Sequence, residues 1–440
     1  MRRTAFRLAM VAGLLIVAAR AGADDDERPA DAYGSSVASV WLDKLYDVVR
    51  SERTAPPPAA RIYGVSAVAL YEAVVPGSRE NRSLAGQLNG LAGMPQPRQH
   101  EKEYHWPTVA NAALARTIRG LFTSLTPEDG LAIDALEASF NTQFLSRLKR
   151  KDFDRSVERG QAVADAVLAW AATDGFATLN NCPYAPAAVA GAWRPTPPAF
   201  APNPLQPCWG QLRPMVLSAA SDCPPPGPPP FSTDPGSDFF AAAAEVYHTS
   251  LALTDEQKTI ADFWADNAGV TGTPPGHWIA IVGQVARNHR LSLMVAAEAY
   301  ARVGIAVNDA FIECWHAKYL YDLQRPVTYI QDNMQPTWLP RLASPAFPTY
   351  TSGHSTQSRA AAAVLTDMLG VFPFTDTIRV DHNLGPPLAP RLFHSFTDAA
   401  AEAAASRLYA GIHFSFDNDD GLASGRCVGQ TIVRYVRFKD

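Results

Sequence analysis

The chain has 440 residues, 47% of them hydrophobic and 18% charged, so it can bury a large core and is not a disordered polymer. Its formal net charge is -5 and no basic stripe runs along it, which argues against nucleic acid as a partner. Five cysteines are too few for a disulfide scaffold, and their spacings resemble no zinc site.

Residues 1–23 read as an export signal. Arg2, Arg3 and Arg7 make a basic start, and Leu8–Ala19 is an apolar run too short to span a bilayer. Ala21-Gly22-Ala23 then offers a small-residue cleavage site ahead of Asp24. No later stretch is long and apolar enough to cross a membrane, so the mature chain is expected to be soluble and secreted or periplasmic. Cys182, Cys208 and Cys223 fall in loop-like sequence. One bridge among them suits an oxidising compartment, and the odd count leaves at least one thiol free.

Helical period governs from residue 35 onward. Val37, Val40, Trp41, Leu45, Val48 and Val49 form one apolar stripe. Ile62–Val75 reads as a second helix stopped by Pro76-Gly77, and Pro107–Phe122 as a third. Thr126 caps a fourth, with Pro127 in its first turn, and a fifth ends near Asp174 at Gly175. These helices make a first bundle over residues 24–193. Residues 194–236 hold 14 of the 36 prolines and read as an extended connector. Helices resume over 237–440. A capping box at Thr254–Gln257 opens one; Gly276–Tyr300, Ile305–Leu323, Thr356–Leu369, Asp398–Tyr409 and Leu422–Phe438 follow. The expected fold is all-α, two packed helical bundles, with the chemistry in the second.

Three segments carry residues suited to chemistry. Lys318 and Arg325 are seven apart, nearly two helical turns, so a continuous helix would point both the same way. Ser352-Gly353-His354 sits where a helix begins, a place whose free N–H groups attract an oxyanion. Arg407 and His413 are six apart and would diverge on one helix, but Gly411 lets the chain turn back between them. Asp417, four after His413, can accept the proton of one imidazole nitrogen and free the other as ligand or nucleophile.

In order, these segments read Lys318-x6-Arg325-Pro326, Ser352-Gly353-His354 and Ser406-Arg407-x5-His413-x3-Asp417. The pattern resembles the signature of the superfamily that unites vanadium-dependent haloperoxidases with type 2 phosphatidic acid phosphatases and bacterial class A acid phosphatases. Trp315, the run Phe347-Pro348-Thr349-Tyr350, and Phe263-Trp264-Ala265 with Gly272-Thr273-Pro274-Pro275 are similar to the chloroperoxidase type of the haloperoxidase branch. Thr351 stands where the family usually has Pro, and the chain is one residue short around Asp266-Asn267. Asp266 is therefore only a candidate for the acid that would buttress Arg407.

The resemblance implies vanadate as cofactor, with hydrogen peroxide and halide as substrates. Lys318, Arg325 and Arg407 would neutralise its oxygens, and Ser352 and the Gly353 N–H would donate to them. His413 would bind vanadium through one ring nitrogen, and His354 would act as general acid–base toward peroxide. Trp315 and Phe347 would line the halide pocket; bromoperoxidases tend to carry His at the latter position. The same residues suit an acid phosphatase with His413 as nucleophile. A helical binding protein with a dead site is disfavoured, since buried Lys and Arg with no anion would be costly. The organic acceptor and an oligomeric assembly stay open at this level.

Overall fold

The computed structural model describes residues 28–97, 104–185 and 187–439; the export signal read at 1–23 lies outside them. Among the described residues the fold is all-α apart from one short ribbon. Chain order is α1 (Ser36–Ser51), α2 (Pro56–Val74), α3 (Trp106–Leu121), α4 (Pro127–Leu145), α5 (Arg150–Ala171) and α6 (Phe176–Leu179). After the proline-rich stretch come α7 (Asp238–Leu251), α8 (Asp255–Phe263), α9 (Thr273–Asn288), α10 (Leu293–Tyr321), α11 (Pro326–Asn333) and α12 (Gly353–Leu369). Strands β1 (Phe374–Asp376) and β2 (Arg391–Phe393) pair antiparallel around α13 (Ile378–Asp381), and α14 (Phe396–Tyr409) and α15 (Ser415–Tyr435) close the chain. No helix among the described residues is long and apolar enough to cross a membrane.

The central element is the pair α2 and α10. From Ala59 to Val74 every residue of α2 is buried, so this helix is wrapped by others on all sides. It begins at Pro56, earlier than its periodicity implied, because Pro56, Pro57 and Pro58 occupy the first turn, where no N–H is needed. The sequence reading also divided the next region in the wrong place. The break falls after α9, where Arg290 takes φ 51° and Ser292 caps α10 through the Val295 N–H at 3.3 Å. From there α10 runs unbroken through Gly304. That glycine is a close approach to α2, not a stop: an added Cβ would lie 2.9 Å from the Ala67 Cβ and 3.0 Å from the Gly64 Cα.

A second close approach builds the site. Gly421, Gly425 and Gly429 recur every fourth residue on α15 and face α12. Backbone contact between the two helices sets their starts side by side, where the Ser352 N–H donates to the Asp417 carbonyl at 2.9 Å. The proline-rich stretch is held from several directions. Disulfides join Cys182 to Cys208 and Cys223 to Cys427, Cys314 stays a buried free thiol, and Trp209 is fully buried. The Asp309 carboxylate of α10 accepts from the N–H groups of Met215, Val216 and Leu217 at 2.7, 2.8 and 3.0 Å.

Gly425→Ala should test this packing. The new Cβ would sit 2.0 Å from the Thr356 carbonyl oxygen, so the helices must separate. Overpacking of about 1–3 kcal/mol should outweigh the roughly 1 kcal/mol that Ala gains in helix propensity. A urea melt showing unchanged or raised stability would contradict the contact.

Candidate functional site

The three signature segments meet at one cavity of about 170 Å³. Of the residues singled out from sequence, Trp315, Phe347, Gly353, His354, Arg407 and His413 line it. Lys318, Arg325, Ser352 and Asp417 sit behind that lining with no exposed surface. Leu205, Phe311 and Ile412 add apolar wall.

Each side chain arrives by a different local device. Lys318 lies in the last turn of α10, and the chain then reverses at Asp322, which takes φ 45°. Arg325 is not on that helix, as its spacing implied, but at the N-cap position of α11, ahead of Pro326. The two cations converge because of the turn rather than a shared helical face. Ser352 caps α12, which leaves the N–H groups of Gly353 and His354 ahead of the first intrahelical acceptor. Arg407 ends α14, Gly411 reverses the chain at φ 78°, and His413 stands in the turn before α15.

His413 is oriented through its Nδ1. That atom is 2.8 Å from the Asp417 Oδ2, which also accepts from the Thr349 hydroxyl at 2.5 Å and the Phe414 N–H at 3.1 Å. Its Nε2 accepts from the Arg325 Nη1 at 3.1 Å. Burial, then Arg325, Lys318 and Arg407, hold His413 well below the ordinary imidazole value. A neutral ring with its proton on Nδ1 thus presents a lone pair at Nε2.

The cations are unequally committed. Lys318 donates to the carbonyls of Pro348, Thr349 and Thr351 at 2.9, 2.8 and 2.5 Å, and burial pulls it well below the usual lysine value. Arg325 donates through Nε to the Phe347 carbonyl at 2.8 Å and through Nη1 to Ile412 at 3.0 Å. Arg407 donates through Nε to the Ser406 hydroxyl at 3.1 Å, and its Nη1 lies 3.2 Å from the His354 Nε2. Among the described residues the Nη2 atoms of Arg325 and Arg407 are buried with no partner. Buried guanidinium donors without acceptors call for an oxyanion, and their forks suit one with paired oxygens.

His354 faces Arg407 on one side and Asp266 on the other, with its Nε2 3.7 Å from the Asp266 Oδ2. Burial, with Arg407 adding to it and Asp266 opposing, pushes its pKa down to about 4. Asp266 makes no ion pair with Arg407; its carboxylate is taken by His277 at 2.9 Å. Sequence reasoning missed His277, Thr349 and Leu205. Thr349 stood inside the quoted run, but His277 and Leu205 carry no local signal and reach the site only through tertiary packing.

A crystal structure of a bacterial vanadium-dependent iodoperoxidase superposes with a TM-score of 0.86 at 33% identity, covering 93% of this chain and 98% of that one. This chain belongs to the vanadium-dependent haloperoxidases. Residues 298–439 match the family description "VCPO second helical-bundle domain". The vanadium chloroperoxidase of Curvularia inaequalis is 26% identical over 214 residues, a match spanning 35% of this chain and 35% of that enzyme. A holo-type bacterial vanadium-dependent chloroperoxidase shares the fold, with a TM-score of 0.63 at 16% identity, covering 87% of this chain and 93% of that one. The cofactor of such enzymes is vanadate, and the unpaired Arg325 and Arg407 donors beside a neutral His413 fit that group.

Vanadate should therefore stabilise the fold by linkage, about 2.7 kcal/mol at a hundredfold excess over Kd. Arg325→Ala and Arg407→Ala should each lose most of the rise in Tm. A variant that keeps the full rise would show that its free nitrogen does not hold the anion.

Proposed function

We propose that this protein oxidises halide with hydrogen peroxide at vanadate bound in the Arg325–Arg407 cavity, takes iodide ahead of bromide and chloride, and works outside the cytoplasm. The observation that carries the reading is the pair of buried, unpartnered guanidinium nitrogens beside a histidine whose Nε2 lone pair is free of a proton. Iodide is favoured because the 33% identical relative that spans the chain is an iodoperoxidase. It is also the most easily oxidised of the three halides. Two disulfides support an oxidising compartment, in line with the export signal read at residues 1–23.

The residues divide the work. Arg325 and Arg407 would hold the anion by charge-assisted hydrogen bonds from their unpartnered Nη2 atoms. The Ser352 hydroxyl and the Gly353 N–H, at the positive end of α12, would donate to the bound anion. Lys318, with its donors on three carbonyls, adds charge and fixes the Pro348–Thr351 segment around the anion. His413 supplies the protein's metal ligand through Nε2, and Asp417 positions it. Bound vanadium(V) is a Lewis acid toward hydrogen peroxide and keeps its oxidation state.

His354 moves the proton. Its depressed pKa leaves the imidazole neutral near pH 7, able to take a proton from hydrogen peroxide and later return it. Trp315 and Phe347, with ring centroids 4.9 Å apart, give halide a dry wall against which it sheds water. Overall, halide, hydrogen peroxide and one proton give hypohalous acid and water.

Protein loaded with orthovanadate should iodinate a phenolic dye when given peroxide and iodide, faster than it brominates. His354→Ala should lower kcat by about 10²–10⁴-fold while vanadate affinity stays within a few-fold. Rapid p-nitrophenyl phosphate hydrolysis with no halide oxidation would overturn the reading in favour of phosphoryl transfer.

A further inference from the structure

Behind His354 lies a buried polar chain that the reaction as described does not use. His277, on α9, is fully buried, and both its ring nitrogens face carboxylates. Its Nδ1 is 2.9 Å from Oδ2 of Asp266, and its Nε2 is 2.7 Å from Oδ2 of Asp376 at the end of β1. Neutral imidazole has one donor and one acceptor, so two carboxylate partners require a proton on each nitrogen. Trp264 stacks on the ring at 4.2 Å with an interplanar angle of 17° and holds its plane.

The neighbours complete the charge pattern. Asp376 also accepts from the Ile378 N–H at 3.0 Å and from Gln284 at 3.4 Å. Tyr46 and Tyr63 face Asp266 from α1 and α2 and stay neutral, since burial raises both phenols. Trp264 donates to Glu402 at 3.0 Å, and that carboxylate is itself held by Arg391. Arg407 and His354 close the far side of Asp266. The backbone is committed as well: Asp266 takes φ 47° in the loop before α9 and Thr273, the first residue of α9, takes φ 66°, both in the left-handed region. Such conformations persist where their surroundings over-determine them.

We propose that His277 is a positioning residue for halide oxidation: a buried imidazolium, clamped between Asp266 and Asp376, that holds Asp266 as a carboxylate turned toward His354. Its positive charge keeps the Asp266–His354 couple from binding a proton at working pH, so His354 stands ready as a base. Charge considerations agree. The two carboxylates overcome burial and raise His277 to about 10, and burial of Asp266 is overridden by His277, which holds it well below the usual carboxylate range. The inference rests on His354 as the proton acceptor but not on which halide is used.

Linkage gives opposite signs for two substitutions. His277→Gln removes a positive charge beside the couple, so the couple binds its proton more tightly. The acid limb of kcat/KM for peroxide should move up by at least one pH unit, so that kcat/KM measured on the limb itself, below about pH 4, falls about tenfold. Asp376→Asn removes a negative charge while keeping an acceptor for Nε2, and the limb should move down or stay. Loss of rate in both variants with an unmoved limb would reduce His277 to a structural role and overturn the proposal.

A second measurement needs neither vanadate nor turnover. In full-length vanadate-free protein labelled with 15N-histidine, NMR should show one imidazole protonated on both nitrogens through pH 8 and absent from His277→Gln. Titration of the His354 ring should shift up in that variant. A neutral His277 at pH 7 would sink the proposal even if the loaded enzyme oxidises iodide. An inactive enzyme with a protonated His277 and a shifted His354 would instead fault the assigned function.

Discussion

Three cations, Lys318, Arg325 and Arg407, lie at 2% exposure or less around one cavity, and among the described residues none of them is in an ion pair with a carboxylate. Asp417 is bound to His413, Thr349 and the Phe414 N–H. Asp266 is bound to His277. Among the described residues the Nη2 atoms of Arg325 and Arg407 have no hydrogen-bond partner. Removing charge from water is expensive unless a partner restores the lost solvation. The deficit is thus a binding specification that a small anion, multiply charged and oxygen-rich, would meet.

Helix ends make that accumulation of like charge tolerable. Lys318 occupies the last turn of α10 and Arg407 the last turn of α14, so each cation rests on the negative end of its own helix. The anion would meet the opposite pole, the free N–H groups at the start of α12. Close backbone packing of α12 on α15 then fixes His413 and Asp417 relative to that start. Charge, dipole and packing all depend on where helices stop, which explains why turns at Asp322 and Gly411 sit directly between pairs of site residues.

The same fact determines what could be read from sequence. Residues on the signature segments carry their chemistry and spacing in plain view, so the cavity's polar set was legible, as was the all-α class. Element boundaries were less so. Periodicity cannot tell a glycine that ends a helix from one that lets two helices touch, and Gly304 was the second kind. Nor does spacing reveal a reversal inside what looks like one helix, as at Asp322 between Lys318 and Arg325. The pairing of Cys223 with Cys427 spans 204 residues and joins elements that only the folded chain brings together. His277 and Asp376 are 99 apart, each unremarkable alone, and acquire meaning only as a pair.

Phe347 shows how little freedom the site leaves. Its ring lies against Trp315, facing the cavity, while the Lys318 Nζ stands 5.1 Å and the Arg325 guanidinium 4.8 Å from its centroid. Its carbonyl accepts from the Arg325 Nε at 2.8 Å. One residue therefore offers an apolar face to the cavity and an electron-rich face to two cations, and under the proposed function it would serve both halide and anion. An imidazole at this position would add a polar and titratable edge to the wall and weaken the face that the cations share. Under the proposed function, halide preference and anion affinity would for that reason be coupled through a single ring, and a change that tunes one would act on the other.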